Sequence, residues 1–284
     1  MLLAESCESL SAQICSWKDA GLSISFVPTM GNLHEGHLSL VQQAKQLADK
    51  TVVSVYVNPM QFGENEDFDA YPRTFDSDRN ALQQVGADLL FLPSSTDMYP
   101  QGPKKSTNVS VPGISNILCG EYRPGHFEGV ATIVCKFFNL VQADFALFGE
   151  KDFQQVAVIR KMVKDLFMPV EIHSLPTVRE ADGLAMSSRN QYLKQEEREL
   201  AVNLYRVLQY MARQAKQGAV LHELESQGRE KLTALGFEPE YLSFRNAHSL
   251  APAQSHDHKL VLVVAAWLGK TRLIDNVSLQ ILRK

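Results

Sequence analysis

Four cysteines in 284 residues form no Cys-x-x-Cys pair, so the sequence lacks the usual thiolate signatures of zinc binding or disulfide exchange. Cys7, Cys15, Cys119 and Cys135 are expected as reduced, buried thiols of a cytoplasmic protein. No apolar run approaches a membrane span, and even residues 260–267 are far too short. Residues 1–16 carry no basic segment ahead of their apolar positions, so no signal peptide is expected. Positive charge is not in excess: the net charge is −4 and no long basic run exists, which argues against a nucleic-acid partner. The three basic residues within 160–164 sit among apolar ones and read as a solvated helix face. Neither an internal repeat nor a low-complexity tract is present. What remains is an ordinary globular composition, long enough for one large domain or two smaller ones.

Strand-like and helix-like segments alternate through the first two thirds. Ser23-Ile24-Ser25-Phe26-Val27 is a short apolar run, and residues 52–57 are β-branched and almost continuously hydrophobic, as a strand buried on both faces should be. Residues 88–92, 145–148 and 170–175 read as further strands, closed by Pro93, Gly149 and Pro176. Helical periodicity covers 38–48, 76–85, 129–141 and 155–167. The alternation predicts an α/β fold with a doubly wound parallel (Rossmann-like) sheet over residues 1–177. Beyond it, two helices (195–217 and 221–235) precede two strands (241–245 and 259–268), which predicts a second, smaller α+β C-terminal domain over 178–284. Residues 99–105 read as an exposed loop.

The chemistry concentrates in Pro28-Thr29-Met30-Gly31-Asn32-Leu33-His34-Glu35-Gly36-His37, between a strand and a helix. Such a junction offers backbone N–H groups and the positive end of a helix dipole to a phosphate. Glycine permits close approach, and two imidazoles can bind the same phosphate oxygens. Two histidines that merely cap the helix would show the same spacing. The His-x-Gly-His pattern resembles the signature of the nucleotidyltransferase superfamily, which splits ATP between its α- and β-phosphates.

His34, Gln61 and Lys151 each follow a predicted strand, which places them beyond the carboxyl ends of the sheet, where such sheets bind ligands. In Gly149-Glu150-Lys151-Asp152, Lys151 could reach phosphates as a point charge and Asp152 could accept ribose hydroxyls; a solvated charged turn looks the same. Ala185-Met186-Ser187-Ser188-Arg189-Asn190 offers two hydroxyls and a guanidinium suited to β- and γ-phosphates, or a capping serine pair beside a surface arginine. Asn58-Pro59-Met60-Gln61-Phe62 and Gln154-Gln155 supply neutral amides, which suit a hydroxylated substrate.

Together these segments resemble the pantoate–β-alanine ligase (pantothenate synthetase) family along essentially the whole chain. The matching stretches are residues 27–37, 58–62, Tyr71-Pro72-Arg73-Thr74, Arg123-Pro124-Gly125-His126-Phe127, residues 148–155 and 186–190, Ala265-Ala266-Trp267-Leu268-Gly269, and Arg272-Leu273-Ile274-Asp275-Asn276. Two departures stand out: the 100–106 loop, and Arg245-Asn246-Ala247 where Arg-Asp-Ala is expected.

The resemblance implies a cytoplasmic homodimer that joins pantoate to β-alanine through a pantoyl adenylate, releasing AMP and pyrophosphate in the synthesis of a coenzyme A precursor. It implies that Met30, Gly31, Asn32, Leu33, His34, Glu35, Gly36 and His37 bind ATP, with His34 and His37 on the phosphates and His37 as the family's proton donor. Lys151, Ser187, Ser188 and Arg189 would hold the rest of the triphosphate, and Met186 would also belong to the ATP site. Gly149 and Asp152 would lie at the ribose, Glu150 would also belong to the ATP site, and Val178 would meet adenine through its backbone. Gln61 and Gln155 would grip pantoate. Mg²⁺ would sit near the phosphates with Asp78, and the C-terminal domain would close over ATP. A relative that transfers AMP to a phosphorylated substrate should instead show extra Arg or Lys near Gln61 and Gln155. An aminoacyl-tRNA synthetase should carry an anticodon-binding module. A nucleotide sensor with a vestigial site would not need His34, His37, Lys151, Ser187, Ser188 and Arg189 together.

Overall fold

The β-branched and apolar runs form a six-stranded, wholly parallel sheet. Its strands are β1 (Leu2–Ala4), β2 (Ile24–Thr29), β3 (Lys50–Val55), β4 (Leu89–Phe91), β5 (Phe145–Gly149) and β6 (Glu171–Leu175), in the order β1-β4-β3-β2-β5-β6. From β2 the chain winds outward through β3 to β4, then crosses back to β5 and β6. Strand order therefore reverses between β2 and β5, the place where sheets of this kind bind ligands beyond their carboxyl ends. The connecting helices are α1 (Cys7–Asp19), α2 (Glu35–Leu47), α3 (Phe75–Val85), α4 (Ser95–Met98), α5 (Cys119–Tyr122), α6 (His126–Val141) and α7 (Phe153–Asp165).

Successive residues of β2 face opposite sides of the sheet. Val27 joins a cluster with Leu40, Val41 and Ala44 of α2 and Leu82 of α3. Its neighbour Phe26, fully buried, meets Phe137 of α6 edge-on at 5.6 Å between ring centroids. Both faces are thus covered by helices, which is why β2 and β3 are buried without alternation, small polar side chains such as Ser25, Thr51 and Ser54 included.

The computed structural model describes residues 1–64 and 66–281. They fall into two units: Met1–Glu150 with Val158–Pro176, and Lys151–Ala157 with Thr177–Lys284. In the second unit, α8 (Gln195–Ala201), α9 (Asn203–Lys216) and α10 (Leu221–Ala234) accompany an antiparallel sheet of β7 (Glu238–Asn246), β8 (Lys259–Leu268) and β9 (Thr271–Gln280). Leu208 and Met211 of α9 and Leu232 of α10 share one core with Phe244 of β7 and Leu262 and Val264 of β8. The fold is α/β with a smaller α+β unit at its C-terminal end.

Several expectations need correction. The helix expected over 195–217 is two, divided at Val202. The Asn203 amide donates to the Leu200 carbonyl at 3.0 Å, a side-chain bond that competes with the helical ladder. β9 was not expected as a strand, because two consecutive buried polar residues, Asp275 and Asn276, interrupt its alternation. β1 also went unrecognised: it is three residues long and pairs Leu2 with Leu89 at the sheet edge. Of the cysteines, all free, only Cys119 is buried; Cys15 is exposed and Cys7 and Cys135 are partly covered. Arg160 and Lys164 are exposed, as a solvated face requires.

Candidate active site

The loop after β2 is built to bring backbone amides together. Thr29 donates its hydroxyl to the Ser54 carbonyl (2.7 Å) and accepts from Gly31 N–H (3.2 Å), which turns the chain at the end of the strand. Gly31 has φ +83°, and a Cβ there would stand 3.0 Å from both Asp78 Oδ2 and Val55 Cγ1, so the position demands glycine twice over. Asn32 follows at φ +50°, a region this residue type tolerates better than most.

Asp78, on α3 and almost fully buried, holds the loop in place. Its Oδ2 accepts from Asn32 N–H at 2.9 Å and from the Thr74 hydroxyl at 3.2 Å; its Oδ1 accepts from Leu33 N–H at 2.8 Å. Both oxygens of Asp78, which is expected as a Mg²⁺ ligand, accept hydrogen bonds from the loop. Among the described residues no group of three or more His, Cys, Asp or Glu side chains is placed to hold a metal ion.

His34 and His37 open α2 as a reciprocal cap. His34 Nδ1 accepts from Gly36 N–H (3.1 Å), and His37 Nδ1 accepts from His34 N–H (3.3 Å). The rings lie 4.1 Å apart at 38°. Capping and ligand binding are therefore compatible here. A backbone N–H can only donate, so each Nδ1 is unprotonated and each neutral ring carries its proton on Nε2. Both histidines thus present N–H donors at a helix N-terminus, next to the reversal in strand order.

Gln61, largely buried, lies beyond β3 with its Nε2 2.9 Å from Met30 Sδ. Its backbone carbonyl accepts from His126 Nδ1 (2.8 Å) and Arg123 Nη2 (3.3 Å), and Arg123 is itself paired with Glu66. Arg123 and His126 were noted only within a matching stretch; their task here is to fix the Gln61 backbone. β2 and β5 are parallel neighbours, with Phe26 beside Ala146, so Gly149 ends on the same rim as Met30. The Glu150 carboxylate accepts from the Ser174 hydroxyl at 2.8 Å.

The other expected residues belong to the second unit. Lys151 Nζ stands 3.6 Å from Asp152 Oδ2, and the Lys151 carbonyl accepts from the Asn276 amide at 3.0 Å. Gln155 is half-buried in the first turn of α7, beside buried Gln154. The Val178 carbonyl accepts from Met186 N–H at 3.0 Å, and Asn190 ties the segment together by donating to Glu180 and to the Ala185 carbonyl. Ser187 accepts from Arg189 N–H at 3.2 Å and so caps a short 3₁₀ turn, Ser188–Tyr192, which leaves its hydroxyl hydrogen as a donor. Arg179 makes a bidentate pair with Asp275 (2.7 and 2.8 Å) and stacks on the Tyr205 ring at 3.4 Å.

Residues 3–278 match the family model described as pantoate-beta-alanine ligase. The chain is 52% identical over 277 residues to a pantothenate synthetase of Shewanella baltica, covering 98% of this chain and 99% of the relative. A pantothenate synthetase of Shewanella loihica is 52% identical over 280 residues, 99% of each chain. Among solved structures, pantothenate synthetase from Thermus thermophilus superposes with a TM-score of 0.90 at 44% identity, over 98% of this chain and 99% of that one. The pantoate-beta-alanine ligase of Francisella tularensis, solved in complex with beta-gamma ATP and beta-alanine, gives a TM-score of 0.82 at 35% identity over 98% and 97% of the two chains. With a match of this extent, the chain belongs to the pantoate–β-alanine ligase family.

Proposed function

We propose that this protein condenses pantoate with β-alanine in two ATP-dependent steps. A pantoate carboxylate oxygen attacks the α-phosphorus of ATP, the bond to the bridging β-oxygen breaks, and pyrophosphate leaves. The β-alanine amine then attacks the acyl carbon of the adenylate; the acyl C–O bond breaks, AMP departs with that oxygen, and the nitrogen releases one proton while keeping the other as the amide N–H. A carboxylate attacks without a general base, so the first step asks for positioning and charge stabilisation.

The observation that carries this reading is the pair of Nε2–H imidazoles at the start of α2, fixed by backbone caps beside the reversal in strand order. Donors held in advance at a helix N-terminus suit the charge that grows on departing pyrophosphate. We assign Met30 to His37 to ATP, and Lys151, Met186, Ser187, Ser188 and Arg189 to the remaining phosphates. We assign Gly149, Glu150 and Asp152 to the ribose and Val178 to adenine. Gln61 and Gln155 take pantoate. His37 stabilises phosphate charge through Nε2–H rather than donating a proton outright. Mg²⁺ would arrive with ATP, held mainly by phosphate and water oxygens, as this ion commonly is. Asp78 acts on the loop. Homodimeric assembly and a cytoplasmic location belong to the same proposal, supported by the family resemblance.

Isotope exchange tests the chemistry. With pantoate present and β-alanine absent, labelled pyrophosphate should enter ATP, because the first step needs no amine. Pantoate labelled with oxygen-18 in its carboxylate should deliver one labelled oxygen to AMP in the full reaction. Exchange that strictly requires β-alanine, together with unlabelled AMP, would overturn the adenylate route.

A further inference from the structure

The surroundings of Gln61 fix which end of its amide bears the oxygen. Asn58, fully buried, sits between two backbone groups that each have only one possible role. The Gly129 carbonyl can only accept, and it faces Asn58 Nδ2 at 3.1 Å; the Met60 N–H can only donate, and it faces Oδ1 at 3.3 Å. The second hydrogen on Nδ2 points to the Gln61 amide at 3.2 Å, so the atom there is Oε1. Gln61 Nε2 is consequently turned toward the loop after β2, where Met30 Sδ is its partner. A thioether is a weak acceptor that a substrate oxygen would readily replace.

The chain of fixed hydrogen bonds extends one bond further. Asn58 Oδ1 also accepts from the Tyr99 hydroxyl at 2.7 Å. Burial pushes the Tyr99 phenol well above its ordinary range, so it remains a donor at any working pH. Its ring lies 4.0 Å from the Lys136 ammonium, which in turn donates to the Met98 carbonyl and the Ser106 hydroxyl. On the opposite side, Gly129 of α6 lets the 58–61 segment lie directly against the helix, where a Cβ would run into the Met60 carbonyl and the Gln61 backbone nitrogen.

We propose that Tyr99 is a positioning residue for the acid substrate: through Asn58 it holds the Gln61 amide with its NH₂ group toward the bound acid. Position 61 then selects a carboxylate or hydroxyl oxygen and rejects a donor. This rests on the assignment of Gln61 to pantoate made above.

The test is a double-mutant cycle of Tyr99→Phe and Gln61→Ala, followed by steady-state kinetics and thermal melting. Tyr99→Phe should raise KM for pantoate about 3- to 10-fold, the scale of one hydrogen bond, and leave KM for ATP unchanged. Gln61→Ala should raise it further, and the double variant should match Gln61→Ala alone, because Tyr99 acts only through Gln61. A merely structural tyrosine would lower Tm without a selective change in pantoate KM. Additive effects, or equal shifts for ATP and pantoate, would overturn the positioning role while leaving Gln61 in the site. An unaltered pantoate KM in Gln61→Ala would overturn the assignment of Gln61 and the relay with it. Should Tyr99→Phe fold poorly, Gln61→Glu serves instead: it places an acceptor where the donor is required and should impair pantoate use at least as much as alanine. Normal pantoate use by Gln61→Glu would overturn the proposal.

Discussion

The two segments assigned to phosphate, one in each unit, are held in place by opposite means. In the first unit, residues 30–34 converge on a single buried carboxylate, Asp78, which they approach with neutral backbone donors. In the second, residues 178–190 hang from guanidinium–carboxylate pairs: Arg179 with Asp275, and Arg198 with both Glu180 and Asp182. A carboxylate saturated by backbone N–H groups fixes geometry in a way that salt scarcely screens. Arg198 and its partners are partly exposed, and pairs of that kind weaken with ionic strength. One phosphate segment is therefore rigid by construction and the other adjustable by electrostatics.

The largest expected effect removes one proposed phosphate ligand from each unit. His37→Ala and Lys151→Ala should each lower kcat by about 10²- to 10³-fold, the cost of losing one preorganised charge-stabilising donor. Their melting temperatures should separate them. His37→Ala also deletes the acceptor for His34 N–H and should cost about 1 kcal/mol of helix capping. Lys151→Ala gives up a 3.6 Å contact with Asp152, its one ion pair among the described residues, and should melt close to the parent. Near-normal kcat in either purified variant would remove that residue from the phosphate site.

The anchors come next. Asp78→Ala strands the Asn32 and Leu33 amides and should cost about 2–4 kcal/mol, since each bond to an ionised acceptor contributes more than a neutral one. Asp275→Ala leaves the Arg179 guanidinium without its bidentate partner and should cost about 3 kcal/mol, the scale for breaking a largely buried pair. Urea unfolding measures both. Only Asp78→Ala should also disturb His34 and His37, lowering kcat while the Mg²⁺ concentration for half-maximal rate stays constant. A large rise in that Mg²⁺ requirement, with unchanged stability, would make Asp78 a metal ligand and break the contrast between the two anchors.

These anchors mark the limit of what the sequence exposes. The parallel sheet was legible because β2, β3 and β5 are apolar runs closed by turn residues, and the His-x-Gly-His junction because capping and phosphate binding share one local pattern. The loop-anchoring contacts of Asp78 were not legible because its partners are backbone amides 45 and 46 positions away, which carry no side-chain signature. Asn58 was noted only as one of several amides, because its fixed orientation comes from the distant Gly129 carbonyl and Tyr99 hydroxyl. Asn246, where the family pattern has aspartate, also has a tertiary cause. Its amide donates to the nearly buried Asp257 carboxylate at 2.7 Å, where a second carboxylate would meet like charge.

The smallest expected effect probes the adjustable segment. Arg198 donates to Asp182 at 2.7 Å and pairs with Glu180, and its hydrogen bond holds the Asp182 carboxyl below the usual carboxylate range. Arg198→Ala should cost under about 1 kcal/mol, because these side chains are about a third exposed and solvent screens the pair. The sign with pH follows from the depressed folded value. Asp182 contributes its stabilisation above the unfolded carboxylate pKa of about 3.9 and loses it as pH falls through the lower folded value. The difference in Tm between parent and Arg198→Ala should therefore be constant from neutral pH to about pH 5, shrink below about pH 4, and shrink again at neutral pH when salt shortens the Debye length. A difference that survives both acid and salt would mean that Arg198 supports residues 178–190 by packing rather than by charge.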